Sequence, residues 1–288
     1  MYKKSFAKIN YNLKVYEKMA NGYHAMQSYM QKVSLYDEMS FIIEPSKQFD
    51  LKVIVEGDLQ LSGPQNIVFK AARLYCSQAE IQSSIAVEIK KNIFLAAGLA
   101  GGSSNAATCL LALNEYFKAY SFEELLNLAK QLGSDVPFFL YEHDLMYVDG
   151  RGVDCKAEHS VEKKPLLLVN PMQAVSTAKI YEALNRGQRP MQKIMYRPVQ
   201  NWQDLDFIMQ QGNDMQEKAI ALCPKIQDIL DILSEQAGCR YTQMSGSGAT
   251  VWALFDSEEF ALASAAALKN VGKIIFTWTG TSSCFNRL

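Results

Sequence analysis

The chain alternates hydrophobic and polar residues along several short stretches of its first half. Residues 8–16, 39–44, 51–55 and 85–89 are predicted as strands, and several of them show this alternation, which is typical of half-buried antiparallel strands. Residues 66–77 instead place apolar side chains at helical spacing and predict an amphipathic helix. The first half is therefore expected to mix antiparallel strands with helices.

Two more helices are predicted further along. Apolar residues follow a glycine-rich stretch at helical spacing and predict the first of them. Ser121 and Glu124 match a capping box for the second, which Gly133 ends. Asp135 falls between this helix end and an apolar segment led by Pro137, which we interpret as a strand.

The second half also contains both element types. Its predicted strands and helices are residues 165–169, 241–244, 251–255 and 273–277, and residues 176–185 and 215–238, respectively. The polar, proline-bearing stretch 187–203 is predicted to be a mobile loop. Because strands and helices do not alternate as regular βαβ units, the pattern favours an α+β fold. We place the domain boundary within residues 158–164 and assign the domains to 1–158 and 159–288.

Composition limits the class of protein. The 288 residues are 49% hydrophobic and 20% charged, as in a globular protein with a real core. A net charge of −1 gives no general attraction to nucleic acid or to an anionic membrane. No apolar run approaches the roughly 20 residues of a membrane span, and no secretory signal is visible. Six scattered cysteines and three histidines without ligand spacing predict a cytoplasmic protein with reduced thiols and no structural zinc.

The most informative segment is the glycine-rich stretch 96–107, which reads Ala-Ala-Gly-Leu-Ala-Gly-Gly-Ser-Ser-Asn-Ala-Ala. Glycines let a backbone approach a ligand closely, the serines can cap the following helix, and a helix start attracts phosphate. The segment lacks the Gly-Lys-Ser/Thr of a Walker A loop and the spacing of a dinucleotide-binding turn. It is either a phosphate-binding loop of another kind or a plain connection to a well-capped helix.

Three shorter segments carry candidate chemistry. Lys8 and Asn10 lie on one face of an early strand, either in a site or as solvated edge residues. Tyr23 and His24 follow Asn-Gly in a turn that presents two rings together, or they belong to an ordinary hairpin. Asp135 is suited to a general base or a cation ligand, although a lone aspartate is more often a cap or turn residue.

A second glycine–serine turn, Met-Ser-Gly-Ser-Gly-Ala, completes a set of five motifs. They lie in order at residues 7–10, 21–24, 102–107, 132–138 and 244–249. This series resembles the motifs of the GHMP kinases, the family of galactokinase, homoserine kinase, mevalonate kinase and phosphomevalonate kinase. The resemblance implies a two-domain fold, with an N-terminal ribosomal-protein-S5-like β/α domain that binds ATP and a C-terminal ferredoxin-like α+β domain.

Within this family the motifs are most similar to those of kinases that act on a cytidine diphosphate-linked methylerythritol in non-mevalonate isoprenoid biosynthesis. The similarity implies ATP-dependent phosphorylation of the C2 hydroxyl of that small molecule. Asp135 matches the catalytic aspartate, which accepts the hydroxyl proton. Lys8 matches the catalytic lysine, which orients the aspartate and offsets developing charge. This division agrees with phosphoryl transfer, which depends mainly on positioning and electrostatics.

The resemblance also implies ATP and Mg²⁺ as cofactors. Asn66 matches a family position near the adenine. The loop residues that match the phosphate-binding segment are Ala96, Ala97, Gly98, Leu99, Ala100, Gly101, Gly102, Ser103 and Ser104. The Ser104 hydroxyl is expected near Mg²⁺.

Five positions match the family's substrate site: Asn10, Tyr23, His24, Thr177 and Tyr181. The resemblance implies that the Tyr-His pair contacts the cytosine, that the asparagine hydrogen-bonds the methylerythritol, and that the threonine and second tyrosine lie beside the base. Met30 stands where an aromatic residue is usual. We therefore expect either Tyr29 or the flexible Met30 thioether to pack against the base.

The chain departs from the usual family pattern at several places. Phe94, Ala96 and Ala100 replace a proline and two glycines of the phosphate-binding loop. If Ala100 adopts a positive φ, its strain is about 1 kcal/mol. The other departures are Phe6 for proline, Asn21 for aspartate and Val153 for glutamate. We expect a divergent member with weaker ATP affinity.

Other functions stay open at this point. Another GHMP kinase, of the mevalonate or homoserine type, would have no use for the pyrimidine-binding turn at Tyr23 and His24. A non-catalytic relative that only binds ligand would explain the altered loop but not the presence of both Lys8 and Asp135. The loop spacing disfavours a dinucleotide-dependent oxidoreductase. We expect a monomer or a weak homodimer.

Overall fold

The computed structural model describes residues 1–20, 22–184, 193–283 and 285–287. The chain forms two compact units, each assembled from separate stretches. The first unit comprises Met1–Ala7, Tyr36–Ile93 and Ala100–Glu142, and the second comprises Lys8–Leu35, Phe94–Leu99 and His143–Leu288. The predicted boundary between residues 158 and 159 stays a prediction.

Strands and helices are numbered in chain order. The strands are β1 (Tyr2–Asn10), β2 (Lys14–Lys18), β3 (His24–Pro45), β4 (Asp50–Val55), β5 (Ser83–Lys90), β6 (Leu145–Asp149), β7 (Asp154–Ala157), β8 (Pro165–Asn170), β9 (Cys239–Met244), β10 (Val251–Phe255), β11 (Lys273–Trp278) and β12 (Asn286–Arg287). The helices are α1 (Ile67–Gln78), α2 (Gly101–Phe117), α3 (Phe122–Leu132), α4 (Val136–Leu140), α5 (Thr177–Leu184), α6 (Trp202–Met209), α7 (Gln216–Leu222), α8 (Lys225–Ser234) and α9 (Glu258–Ala265).

In the first unit, β5 lies between β4 and the C-terminal part of β3. It pairs parallel with β4 and antiparallel with β3, where Met39 is opposite Ile89. Buried residues alternate with more exposed ones along β5, as expected for a strand with one covered face. Helices α1, α2, α3 and α4 pack against one another, and α1 also contacts β4.

A buried carboxylate organises the chain between β5 and α2. Asp37, which is fully buried, accepts hydrogen bonds from the backbone N–H groups of Asn92 (2.7 Å) and Ile93 (2.9 Å). It also pairs with the Lys91 ammonium and accepts from the Asn105 amide at 3.0 Å. Because a buried charge is tolerated only with such partners, Asp37 holds this connection in one conformation.

The same network reaches the first turn of α2. Asn105 Nδ2 also donates to Ser5 Oγ at 2.8 Å, and Ser5 Oγ donates to Ser104 Oγ at 2.8 Å. Ser104 is only 1% exposed. The Ser104 side chain is therefore bound inside the first unit.

The second unit contains the sheet β12–β11–β8–β10–β9, in which every pairing is antiparallel. β8 is the middle strand, and all six of its residues are buried. Leu168 is opposite Trp252 on one side and Ile275 on the other. A strand covered on both faces reads as a continuous apolar run, which is how residues 165–169 were recognised as a strand.

The N-terminal part of β3 belongs to the second unit and pairs antiparallel with β2 and β6, and β6 pairs with β7. β3 has 22 residues, whereas the pattern predicted only residues 39–44. Most residues of β3 before Asp37 are buried, including the polar Gln27, Gln31 and Lys32. The alternation that identifies a half-buried strand is therefore missing there.

Proline explains two wrong predictions. Residues 137–139 were predicted as a strand but belong to α4, where Pro137 lies in the first turn, a position at which its missing N–H has no cost. The single helix predicted over 215–238 is two helices, α7 and α8, separated at Cys223 and Pro224. A third prediction differs for another reason: residues 8–16, predicted as one strand, comprise the end of β1 and the start of β2 with residues 11–13 between them.

Several other predictions agree with the structure. The capping box at the start of α3 is present, with the Ser121 backbone N–H donating to Glu124 Oε2 at 2.8 Å. The described helices and strands form a mixture with two sheets, so the α+β class is confirmed. Over the parts of the chain that the structure describes, no helix is both long and apolar enough to span a bilayer.

The start of α2 differs from the prediction that the serines cap it. The helix begins at Gly101, two residues before the first serine, and its cap residue is Ala100. Ala100 has a φ of 54° and Ala96 a φ of 48°, both in the left-handed region. The positive φ considered for Ala100 is therefore present, and a second alanine of the loop shares it.

Relief of this strain is testable. Ala100→Gly is expected to raise the free energy of unfolding by about 0.5–1 kcal/mol, because glycine adopts a positive φ without the Cβ clash of alanine. Chemical denaturation of the two proteins would measure the difference.

Ala263→Gly is the matched control. Ala263 is exposed in the interior of α9, where glycine is expected to lower stability by about 1 kcal/mol. Destabilisation by both substitutions would contradict strain at Ala100.

Candidate active site

The backbone carbonyl of Gly98 accepts hydrogen bonds from two side chains of the second unit. Lys8 Nζ, on β1, donates at 2.9 Å, and Ser245 Oγ, in the loop after β9, also donates at 2.9 Å. Gly98 has a φ of +76°, and a Cβ there would lie 2.0 Å from the Ser245 carbonyl oxygen. Only glycine allows this approach. The fold thus brings together three segments that are far apart in the sequence.

Lys8 has a second acceptor. Its ammonium donates to Asn10 Oδ1 at 2.7 Å, and Asn10 Nδ2 donates to Ser28 Oγ at 2.7 Å. The Ser28 hydroxyl in turn donates to the Asn12 carbonyl at 2.6 Å. Lys8 is 3% exposed, which excludes the alternative of a solvated edge residue. A buried ammonium held by two fixed acceptors has one defined position.

Asp135 belongs to the first unit. It lies between Gly133, at the end of α3, and the first turn of α4, and it is half-buried. Asp135 is the cap residue of α4 and lies in a turn, but its side chain accepts no capping hydrogen bond from that helix. A carboxylate fixed between two helices by a glycine and a proline is suited to accepting a proton.

Asn66 is the cap residue of α1. Its Oδ1 accepts from the Val68 N–H at 2.8 Å, and its Nδ2 donates to the Leu61 carbonyl at 2.7 Å. The side chain is half-buried. Asn66 therefore stabilises the start of α1.

The first turn of α2 offers backbone donors. Ala100 provides no side-chain cap, so the initial N–H groups and the positive end of the dipole of this 17-residue helix are available to an anion. Gly102 is exposed. In the preceding stretch, Ala97 and Leu99 are 3% and 1% exposed, because their side chains pack inward.

The described side chains that could bind a metal ion do not form a cluster. Across the described ranges, no three His, Cys, Asp or Glu side chains form a group that could hold a metal ion. The Ser104 hydroxyl, expected near Mg²⁺, is buried against Ser5. Mg²⁺ is commonly held by one or two carboxylates together with substrate phosphates and water.

Two predicted substrate residues stack on each other. The rings of His24 and Tyr181 have centroids 5.0 Å apart and planes 20° apart. His24 Nδ1 lies 2.9 Å from the Tyr16 carbonyl. Because a carbonyl only accepts, Nδ1 carries a hydrogen in this contact, and in the tautomer with its one hydrogen on Nδ1 the Nε2 atom is an acceptor.

Tyr23 and Thr177 lie on the same unit as this pair. Tyr23 is 53% exposed, and the Arg151 guanidinium lies 5.5 Å from its ring centroid. The Thr177 hydroxyl, at the first residue of α5, is 2.7 Å from that of Ser247. Asn21, of the same motif as Tyr23, lies outside the described residues.

Tyr29 and Met30, expected to pack against the base, are 3% and 1% exposed. The Tyr29 hydroxyl donates to the Arg197 carbonyl at 2.6 Å and accepts from the Arg197 N–H at 2.9 Å. Burial raises the pKa of Tyr29 above its ordinary value, so the phenol stays neutral and can donate. Both side chains are covered by the protein itself.

Side chains of the second unit also bind the described part of the predicted loop 187–203, whose residues 187–192 lie outside the description. The Ile194 N–H donates to Gln27 Oε1 at 3.0 Å, and the Val199 N–H donates to Glu158 Oε2 at 2.9 Å. The stretch from residue 193 onward is therefore tied down by side chains, and α6 begins at Trp202.

The sequence does not identify Asn213, which contacts the loop that contains Ser245. Asn213 Nδ2 donates to the carbonyls of Met244 (2.9 Å) and Gly246 (2.8 Å), on either side of Ser245. Ser245 lies in a recognised motif, whereas Asn213 is a single asparagine in a connection. Only its spatial neighbours identify it.

Comparison with known proteins gives the family. The models "GHMP kinases N terminal domain" and "GHMP kinases C terminal" match residues 66–143 and 180–274. The 4-diphosphocytidyl-2-C-methyl-D-erythritol kinase of Syntrophus aciditrophicus is 38% identical over 257 residues, which cover 88% of this chain and 90% of that one. The enzyme of the same name from Desulfotalea psychrophila is 35% identical, with 86% and 83% covered.

A solved structure extends this similarity to the fold. The crystal structure of a 4-(cytidine 5'-diphospho)-2C-methyl-D-erythritol kinase superposes with a TM-score of 0.77 at 27% identity, over 97% of this chain and all of that one. The two-domain GHMP kinase fold is therefore confirmed. This chain belongs to the GHMP kinases, and within them to the family of 4-diphosphocytidyl-2-C-methyl-D-erythritol kinases.

Proposed function

We propose that this chain transfers the γ-phosphoryl group of ATP to the C2 hydroxyl of 4-diphosphocytidyl-2-C-methyl-D-erythritol. The observation that carries the proposal is the Lys8 ammonium, which is 3% exposed and held by Asn10 Oδ1 and the Gly98 carbonyl. A cation buried in this way is poised for an anionic group rather than for solubility. Membership of the kinase family gives the reaction type.

Lys8 and Asp135 have separate roles in the reaction. Lys8 stabilises the charge that develops on the transferring phosphoryl group, because its position is already set by two acceptors. Asp135 accepts the proton of the substrate hydroxyl as general base. The family resemblance supplies the pairing of these two roles, and the burial of Lys8 supports its part.

ATP is bound by the glycine-rich loop and the start of α2. The residues proposed for it are Asn66, Ala96, Ala97, Gly98, Leu99, Ala100, Gly101, Gly102, Ser103 and Ser104, mostly through backbone N–H groups. The uncapped first turn of α2 supports this role. Mg²⁺, when bound with ATP, would neutralise phosphate charge, and such an ion is commonly held by substrate phosphates, water and one or two carboxylates.

The cytidyl end is read by Tyr23, His24 and Tyr181. His24 Nε2 is an acceptor when Nδ1 donates to the Tyr16 carbonyl, and the cytosine amino group is a donor that it can take. Tyrosine rings provide stacking surfaces for a base. Thr177 lies beside the base, and Asn10 uses the second hydrogen of its amide for the methylerythritol.

The alternatives differ in what they require. A kinase of the mevalonate or homoserine type would not need the cytidyl group, and a ligand-binding relative would show no turnover.

We further propose that the protein acts in the cytoplasm as a monomer or a weak homodimer.

The activity and the base are tested together. Wild-type protein is expected to release ADP with ATP, Mg²⁺ and the cytidyl substrate, and not with the same alcohol lacking the cytidyl group. Asp135→Asn is expected to lower kcat by at least about 100-fold, because an amide cannot accept the proton. A coupled ADP assay measures both.

Asp228→Asn is the matched control, because Asp228 is an exposed acid in the first turn of α8 and should leave kcat unchanged. Equal wild-type turnover with and without the cytidyl group would refute the proposed substrate. Full activity of Asp135→Asn would refute the role of Asp135 as general base.

Recognition of the base has its own test. Tyr181→Leu removes the ring that stacks on His24 and is expected to raise KM for the cytidyl substrate about tenfold, since stacking on a base contributes about 1–3 kcal/mol. Tyr181→Phe keeps the ring and should keep KM. Equal KM values for all three proteins in steady-state assays would remove Tyr181 from the substrate site.

A further inference from the structure

Asn213 lies in the connection between α6 and α7, and both the nitrogen and the oxygen of its side-chain amide form hydrogen bonds. Nδ2 donates to the carbonyls of Met244 (2.9 Å) and Gly246 (2.8 Å), and Oδ1 accepts from the Met215 N–H at 2.9 Å. Two carbonyls require donors and an N–H requires an acceptor, so only this orientation of the amide satisfies all three partners. The side chain is therefore fixed at three points.

The two carbonyls belong to the residues on either side of Ser245. Holding both of them sets the backbone of Ser245, which is itself fully buried. Ser245 Oγ donates to the Gly98 carbonyl, the same oxygen that accepts from Lys8 Nζ. A Cβ on Gly246 would lie 3.3 Å from Lys8 Nζ, so a shift of this loop would reach the lysine directly.

Asn213 is anchored to the strand connection that follows Lys8. The Leu13 N–H donates to the Gly212 carbonyl at 3.0 Å, and the Asp214 N–H donates to the Leu13 carbonyl at 2.9 Å. Asp214 Oδ2 accepts from the Val15 N–H at 3.0 Å. The residues flanking Asn213 are thus tied to the segment that continues β1.

We infer that Asn213 is a positioning residue for Lys8 and acts through Ser245 and the Gly98 carbonyl. The inference rests on the proposed function in so far as Lys8 is the catalytic lysine. Asn213 itself contacts no reacting group. Asn213 restricts the position of the Gly98 carbonyl, which helps to set the position of the Lys8 ammonium. A small displacement of this ammonium is expected to lower the rate without weakening substrate binding.

Kinetics test the pathway from Asn213 to Lys8. Asn213→Ala is expected to lower kcat about tenfold while KM for ATP and for the cytidyl substrate stay within about threefold. Ser245→Ala should lower kcat less. If Asn213 acts through Ser245, the double variant should be no slower than Asn213→Ala alone, whereas independent effects would multiply.

Asn114→Ala is the matched control. The Asn114 amide, in α2 of the first unit, also makes three hydrogen bonds, to Tyr120 N, Tyr120 O and the Tyr75 hydroxyl. We expect a similar loss of thermal stability with unchanged kcat. Equal kcat values for the two asparagine variants, or multiplicative effects in the double variant, would overturn the inference.

Labelling of Lys8 separates this inference from the proposed function. Acetylation of intact protein by an N-hydroxysuccinimide ester, followed by peptide mass spectrometry, is expected to modify Lys8 several-fold faster in Asn213→Ala than in the wild type or Asn114→Ala. Wild-type protein without turnover would refute the function alone. Unchanged Lys8 labelling would refute the positioning role, whether or not turnover is seen.

Discussion

The arrangement of the second unit's site depends on one backbone oxygen. The Gly98 carbonyl accepts from Lys8 Nζ and from Ser245 Oγ, and these donors come from β1 and from the loop after β9. Only a residue without a side chain allows the Ser245 backbone so close, since a Cβ on Gly98 would lie 2.0 Å from its oxygen. The position of the Lys8 ammonium therefore depends on Gly98, which lies 90 residues away in the sequence.

The chain continues from this carbonyl into α2 through a strained turn. Ala100 has a positive φ and provides no side-chain cap, so the helix starts with uncapped backbone donors. Inside the first unit, Ser5 and the buried Asp37 hold the start of α2: Ser5 donates to Ser104, and the Asn105 amide donates to both Ser5 and Asp37. A helix start with uncapped N–H groups and a fixed backbone suits phosphate binding, because the donors need no reorganisation when the anion arrives.

The sequence predicts those features that local chemistry determines. The Ser121–Glu124 capping box, the β8 strand, and the candidate residues Lys8 and Asp135 could all be identified from neighbouring residues and motifs. The family and its two-domain fold followed from five motifs in order. These signals are short and need no knowledge of distant contacts.

Features that depend on tertiary environment could not be predicted in this way. The N-terminal part of β3 has no alternating pattern because both of its faces are mostly buried. The apolar residues after Pro137 predict a strand, although proline is equally acceptable in the first turn of α4. Asn213 carries no local signal, since its importance lies in two carbonyls more than 30 residues further along the chain.

The most direct measurement compares Gly98→Ala with Gly63→Ala in thermal unfolding and turnover. Both glycines have a positive φ, +76° and +81°, but a Cβ on Gly63 meets nothing within 4 Å. Gly63→Ala should therefore show only backbone strain of about 1–2 kcal/mol and normal kcat. Gly98→Ala should lose more stability and lower kcat at least about tenfold, because Ser245 and Lys8 are displaced together. Identical behaviour of the two variants would contradict a site built on the Gly98 carbonyl.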